Sequence, residues 1–100
     1  MLAIVWSYRV RAEFAREFAE AYAPDGPWAQ LFARAGGFMG VQLFEGKDGD
    51  WLTIDRWRSE ADFDAFMAQY RDSYEALDRR TEGWTREERL IGRFHPHGLN

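Results

Sequence analysis

The chain has no cysteine, which removes disulfides, a thiol nucleophile and thiolate metal ligands from consideration. It has two histidines, His95 and His97, both in a C-terminal stretch with no further convergent ligands, so a metal centre has no support. Proline is confined to Pro24, Pro27 and Pro96, which leaves long stretches free to form strands and helices. Positive charge is not in surplus. The net charge is −4, whereas a general nucleic-acid binder needs a basic face. No run approaches the length of a membrane span, and the residues after Met1 read as a strand rather than a signal peptide, so a cytoplasmic location is the expectation. No phosphate-cradling glycine loop and no nucleophile–base spacing is visible.

What the chain has in quantity is aromatic side chains. With 46% hydrophobic and 17% aromatic residues in 100, it has the material for one packed domain. The organising stretch runs from Gly36 to Tyr74. Two apolar runs, Phe38–Glu45 and Trp51–Arg58, flank Gly46-Lys47-Asp48-Gly49, a hairpin signal. The second run passes directly into a helix. Ser59 is placed to cap it and Asp62 to reach back. Phe63, Phe66, Met67, Tyr70 and Tyr74 then recur at three- and four-residue steps to about Arg80, marking one helical face.

The flanks complete the pattern. Leu2–Val10 predicts a first strand with faces Leu2, Ile4, Trp6, Tyr8, Val10 and Ala3, Val5, Ser7, Arg9. Arg11–Ala23 predicts a helix presenting Phe14, Phe18 and Tyr22. A short helix, Trp28–Ala35, follows the Pro24–Pro27 turn and stops at Gly36-Gly37. Arg86–Phe94 predicts a last strand, after which residues 95–100 form a loose tail. The expected organisation is one domain over residues 1–94. The order β-α-β-β-α-β is the split βαβ, ferredoxin-like α+β arrangement: a four-stranded antiparallel sheet with two long helices on one face. The first and third strands are apolar on both faces, so the second sheet face needs a cover. A second copy, sheet against sheet, is the economical one, and a homodimer is expected.

The GPW-initiated short helix, GGFMGVQLF, and WLTIDRWRSEADFDAF running into a Tyr-bearing helix resemble the antibiotic biosynthesis monooxygenase-like family over roughly Leu2 to Phe94. The resemblance implies a dimeric α+β barrel. For some members it implies oxygenation of quinols or anthrone-type polyketides without metal or flavin; others degrade haem. Met67 falls near where the haem-degrading branch carries its histidine, which argues against haem degradation here.

Candidate site residues each carry two readings. By resemblance Trp57 matches a pocket tryptophan that stacks on a flat substrate; otherwise it is a core residue at a strand end. Ser7, by resemblance at a polar position of the first strand, either hydrogen-bonds a ligand or bonds its neighbours, and is expected across from Trp57. Asp55 is either a base with a raised pKa or the partner of a cross-strand arginine such as Arg9. Tyr70 and Tyr74, in a stripe with Phe66, either hold a substrate phenol or pack the core. Trp28 and Phe32 either form a lid or plug the end of the fold. Two functions follow: a cofactor-independent monooxygenase for a small electron-rich aromatic, or a non-catalytic dimeric domain that binds a small apolar ligand or none.

Overall fold

The computed structural model describes residues 1–98. Its strands are β1 (Leu2–Val10), β2 (Phe38–Glu45), β3 (Asp50–Trp57) and β4 (Thr85–Phe94). The helices are α1 (Ala15–Ala21), α2 (Pro27–Phe32) and α3 (Glu60–Thr81). All pairings are antiparallel and the sheet order is β2-β3-β1-β4, the ferredoxin-like arrangement that the element order implies.

Local chemistry sets the corners. In the hairpin Asp48 and Gly49 take positive φ, 57° and 84°, and Gly46 N–H donates to Asp50 O at 2.7 Å. At the head of α3, Ser59 Oγ accepts from Asp62 N–H at 3.1 Å and donates to the Asp62 carboxylate at 3.0 Å. Arg58 grips the same carboxylate at 2.9 and 3.1 Å, so the cap closes on a side-chain triad rather than on the Ser59 backbone. A Cβ at Gly37 (φ 91°) would lie 2.5 Å from the Asp62 side chain, so glycine lets the chain pass this cap.

Only α3 is long. The helix expected over Arg11–Ala23 is a 3₁₀ turn at Ala12–Phe14 followed by the seven residues of α1. The spacing that presents Phe14, Phe18 and Tyr22 survives this change, because both helical forms keep them on one side. α3 is itself interrupted: Tyr70 has φ −115° and ψ 20°, outside helical geometry. The tail expected over 95–100 begins at His95, whose Nδ1 lies 3.2 Å from Met1 O; Leu99 and Asn100 lie outside the described residues.

The helices cover one sheet face. Leu2, Ile4, Tyr8 and Val10 of β1, with Trp51, Thr53 and Trp57 of β3, are buried beneath them. The opposite face carries Val5 against Ile54 and Ser7 against Leu52, with Phe44 (44% exposed) and Phe94 (48%) toward its edges. Among the described residues no helix is long and apolar enough to cross a membrane.

Candidate active site

The inner sheet face and the helical layer do not meet uniformly. At one end they close into an aromatic core. Toward the middle of the sheet they part around a small cavity of about 50 Å³, beyond which Phe18 packs on Tyr8, Tyr22 and Trp51 in a second aromatic cluster. The cavity's floor is Trp6 and Tyr8 of β1, Val41 of β2, Thr53 and Asp55 of β3, and Glu88 of β4. Its roof is Tyr22 just after α1, Trp28 and Phe32 of α2, and Tyr74 and Asp78 of α3.

Strand pleating delivers these groups. Alternation along β3 puts Trp51, Thr53, Asp55 and Trp57 on the inner face, and β1 opposes them in the register Tyr8↔Trp51, Trp6↔Thr53, Ile4↔Asp55 and Leu2↔Trp57. The Tyr8 hydroxyl and Thr53 Oγ1 lie 3.0 Å apart and bond to one another. Across the cavity the Tyr22 hydroxyl donates to Thr81 Oγ1 at 3.2 Å, and Thr81 donates in turn to Leu77 O.

Asp55 is the exception among these satisfied groups. It makes no hydrogen bond or ion pair among the described residues, and protein surrounds it except where the cavity reaches it. Removal from water raises its pKa from 3.8 to about 7. Glu88 and Asp78 are raised for the same first reason, with nearby carboxylates adding to it. The phenol of Tyr74 is pushed up to about 12, again mainly by burial, and Tyr8 and Tyr22 are raised likewise. The phenols therefore stay protonated near neutral pH. Asp55 is the deep group that exchanges a proton there.

The expected site residues divide between three places. Asp55 and Trp28 line the cavity, together with Phe32 and Tyr74. Trp57, Phe66 and Tyr70 do not. Trp57 is fully buried, with the rings of Phe32, Phe38, Phe63 and Phe66 at 5.3–5.7 Å. Phe66 is also fully buried, and Tyr70 stacks on it at 5.6 Å while its hydroxyl points to Arg34 O at 3.4 Å. Ser7 is on the other sheet face. The register puts it opposite Leu52, not Trp57, where it lines an open groove with Arg9, Glu87 and Arg89. The expected Asp55–Arg9 pair is likewise absent: register places Arg9 beside Asp50, which it holds at 3.2 Å.

Trp6, Tyr8, Tyr22, Val41, Thr53, Asp78 and Glu88 were not among the expected site residues. The strand residues share the inner-face parity of Asp55, which is the signal that could have found Trp6, Tyr8 and Thr53 once Asp55 was suspected. Tyr22, Asp78 and Glu88 arrive from separate elements and have no such local mark.

Residues 1–77 match the sequence profile of the family described as antibiotic biosynthesis monooxygenase. The chain belongs to that family. No curated protein sequence matches it. Among solved structures it is similar to a point mutant of SnoaB, a cofactor-independent oxygenase from Streptomyces nogalater. The TM-score is 0.73 at 22% identity, over 98% of this chain and 94% of that one. It is also similar to an uncharacterized NIPSNAP domain protein from Burkholderia xenovorans, with a TM-score of 0.70 at 14% identity over 100% and 98% of the two chains. At these identities the two likenesses establish the shared fold.

Proposed function

We propose that the protein is a monooxygenase of a small electron-rich aromatic, with Asp55 as its general base. The observation that carries this is an unpaired carboxylate, with a pKa near neutrality, on the floor of an aromatic-walled cavity. Family membership supports the oxygenase half of the reading. The likeness to SnoaB supports a reaction that needs no cofactor.

In this mechanism Trp6, Trp28 and Phe32 hold a flat phenol or anthrone against the carboxylate. Asp55 takes the phenolic or activated C–H proton. The resulting carbanion gives one electron to O₂, and the radical pair combines to form a C–O bond. Protonated Asp55 returns its proton to the peroxide, whose O–O bond breaks as the remaining C–H proton leaves. One oxygen ends as a carbonyl and the other as water. The four electrons that reduce O₂ all come from the substrate, so no external reductant enters the balance.

Oxygen uptake with a hydroxylated anthrone tests this. Wild type should consume one O₂ per substrate, and the rate should fall as pH drops below about 7, because the base must be ionised. Asp55→Asn should lose on the order of 10²–10⁴-fold in rate. Wild-type uptake no faster than the uncatalysed reaction would end the oxygenase reading. Saturable binding without uptake would support instead a non-catalytic ligand-binding domain.

The working form is a homodimer through the sheet face opposite the helices. Val5, Ile54, Leu52, Phe44 and Phe94 on that face support it. Sedimentation equilibrium should give twice the 11.8 kDa chain mass, and Ile54→Asp should lower it to one chain or unfold the protein. A wild-type monomer at micromolar concentration would refute the dimer.

A further inference from the structure

The ionisable charge in the cavity is of one sign. Asp55, Asp78 and Glu88 line it, and no lysine, arginine or histidine does. Ion-paired arginines are engaged elsewhere: Arg9 with Asp50, Arg58 with Asp62 and Arg93 with Glu60. The three carboxylates come from β3, α3 and β4, with Asp55 on the floor and Glu88 on an exposed stretch of the outermost strand. They do not converge as an ion site would. Among the described residues no three His, Cys, Asp or Glu side chains are grouped to hold a metal. The acidity is spread along the cavity and its mouth rather than gathered at one point.

The rest of the lining suits the same chemistry. Trp6, Trp28, Phe32 and Tyr74 are aromatic, and the face of an aromatic ring attracts a cation and repels an anion. The hydroxyls of Tyr8 and Tyr22 are already bonded to Thr53 and Thr81. Hydrogen-bonding capacity left for a ligand is carboxylate oxygen, which accepts and does not donate, together with the Trp28 indole N–H, a donor that has no partner among the described residues. Asp55, nearly enclosed and without a partner among the described residues, is an acceptor that a ligand's donor would satisfy.

We infer that the cavity selects a flat aromatic that carries a protonated amine, and turns away the acid built on the same ring. This rests on the proposed reading of the cavity as the binding site and adds the charge that the substrate brings. The ring lies among the tryptophans, and the ammonium donates toward the carboxylates, none of which is ion-paired among the described residues.

The test is calorimetric titration of the full chain at neutral pH with three probes on one bicyclic ring: 2-naphthylmethylammonium, 2-naphthol and 2-naphthoate. The ammonium should bind about tenfold or more tighter than naphthol, and naphthoate weakest of all. Asp78→Asn with Glu88→Gln should lower ammonium affinity by about tenfold and leave naphthol within about twofold. Asp64→Asn, an exposed α3 carboxylate outside the lining, makes a control for net charge and should leave the ammonium affinity unchanged. Naphthol binding as tightly as the ammonium, or an unchanged preference in the double variant, overturns the inference and leaves the oxygenase reading standing. A clear ammonium preference with no oxygen uptake from any aromatic does the reverse. If none of the three binds, both fall.

Discussion

Trp57 and Asp55 are two residues apart on one face of one strand, and they live in opposite surroundings. Trp57 is sealed among four other aromatic rings, and its indole N–H has no partner among the described residues. Asp55 looks into a cavity bordered by hydroxyls and carboxylates. The sheet beneath them is continuous, so the difference comes from the helical layer above. The first half of α3 lowers Phe63 and Phe66 onto Trp57; the second half brings Tyr74 and Asp78 over Asp55. The non-helical geometry at Tyr70 falls between the two halves. Phe32 touches both regions, packing edge-on to Trp57 at 5.7 Å while lining the cavity. The packed rings around Trp57, with those around Phe18, hold the fold together by exclusion of water, and that leaves the cavity free to carry groups that weaken it.

The largest effect should come from emptying the sealed end. Trp57→Ala removes a fully buried indole and should cost about 3–5 kcal/mol in denaturant unfolding. Trp57→Phe retains a ring and should cost about 1–2 kcal/mol, while ligand affinity in the cavity stays the same. A Trp57→Phe protein with native stability and weakened aromatic binding would dissolve the comparison and move Trp57 into the site.

The next effect has the opposite sign. Asp55 titrates near 7 in the folded protein against 3.8 ordinarily, so between those values the fold holds a proton that the unfolded chain has released. Stability is therefore highest at the acid side of this window and falls as pH rises through it. The shift corresponds to at most about 4 kcal/mol, and solvent reaching the carboxylate through the cavity reduces that. Asp55→Asn removes the titration. Above pH 7 it should be more stable than wild type by roughly 2–4 kcal/mol, while losing the base. Urea midpoints on either side of the window check this: equal pH dependence in the two proteins would show that Asp55 is not the strained group.

The same contrast separates what was legible in the sequence from what was not. β1 and β2 were readable to the residue, because alternation and the hairpin glycines are local. The α3 cap was readable from Ser59 and Asp62 for the same reason. The sealed end was half readable: the Phe63–Phe66–Tyr70 stripe signals packing, but not that it packs on Trp57 instead of on a ligand. The cavity depends on pairings that no local signal encodes. The β1–β3 register joins residues some fifty positions apart, and it decides that Ser7 faces Leu52 and that Arg9 meets Asp50. Glu88 reads as one more charge on a polar strand until β4 is laid beside β1, opposite Tyr8. Asp55 stood out because a carboxylate in an apolar strand is a local anomaly.

The smallest expected effect probes whether the two ends are mechanically distinct. The Tyr22 hydroxyl ties the end of α1 to the last turn of α3 through Thr81, which is 1% exposed. The ring itself stacks on Phe18 at 4.2 Å and meets Tyr8 edge-on at 5.2 Å. Tyr22→Phe keeps the ring contacts and removes one buried hydrogen bond, for a loss of about 1 kcal/mol. Thr81 keeps its bond to Leu77 O, so its own donor remains satisfied. If the sealed and open ends behave as separate units, amide exchange should quicken from Tyr74 to Thr81 and stay unchanged at Phe63 and Phe66. Uniform quickening along α3 would mean that the helix opens as one piece, and that the break at Tyr70 does not insulate the core from the cavity.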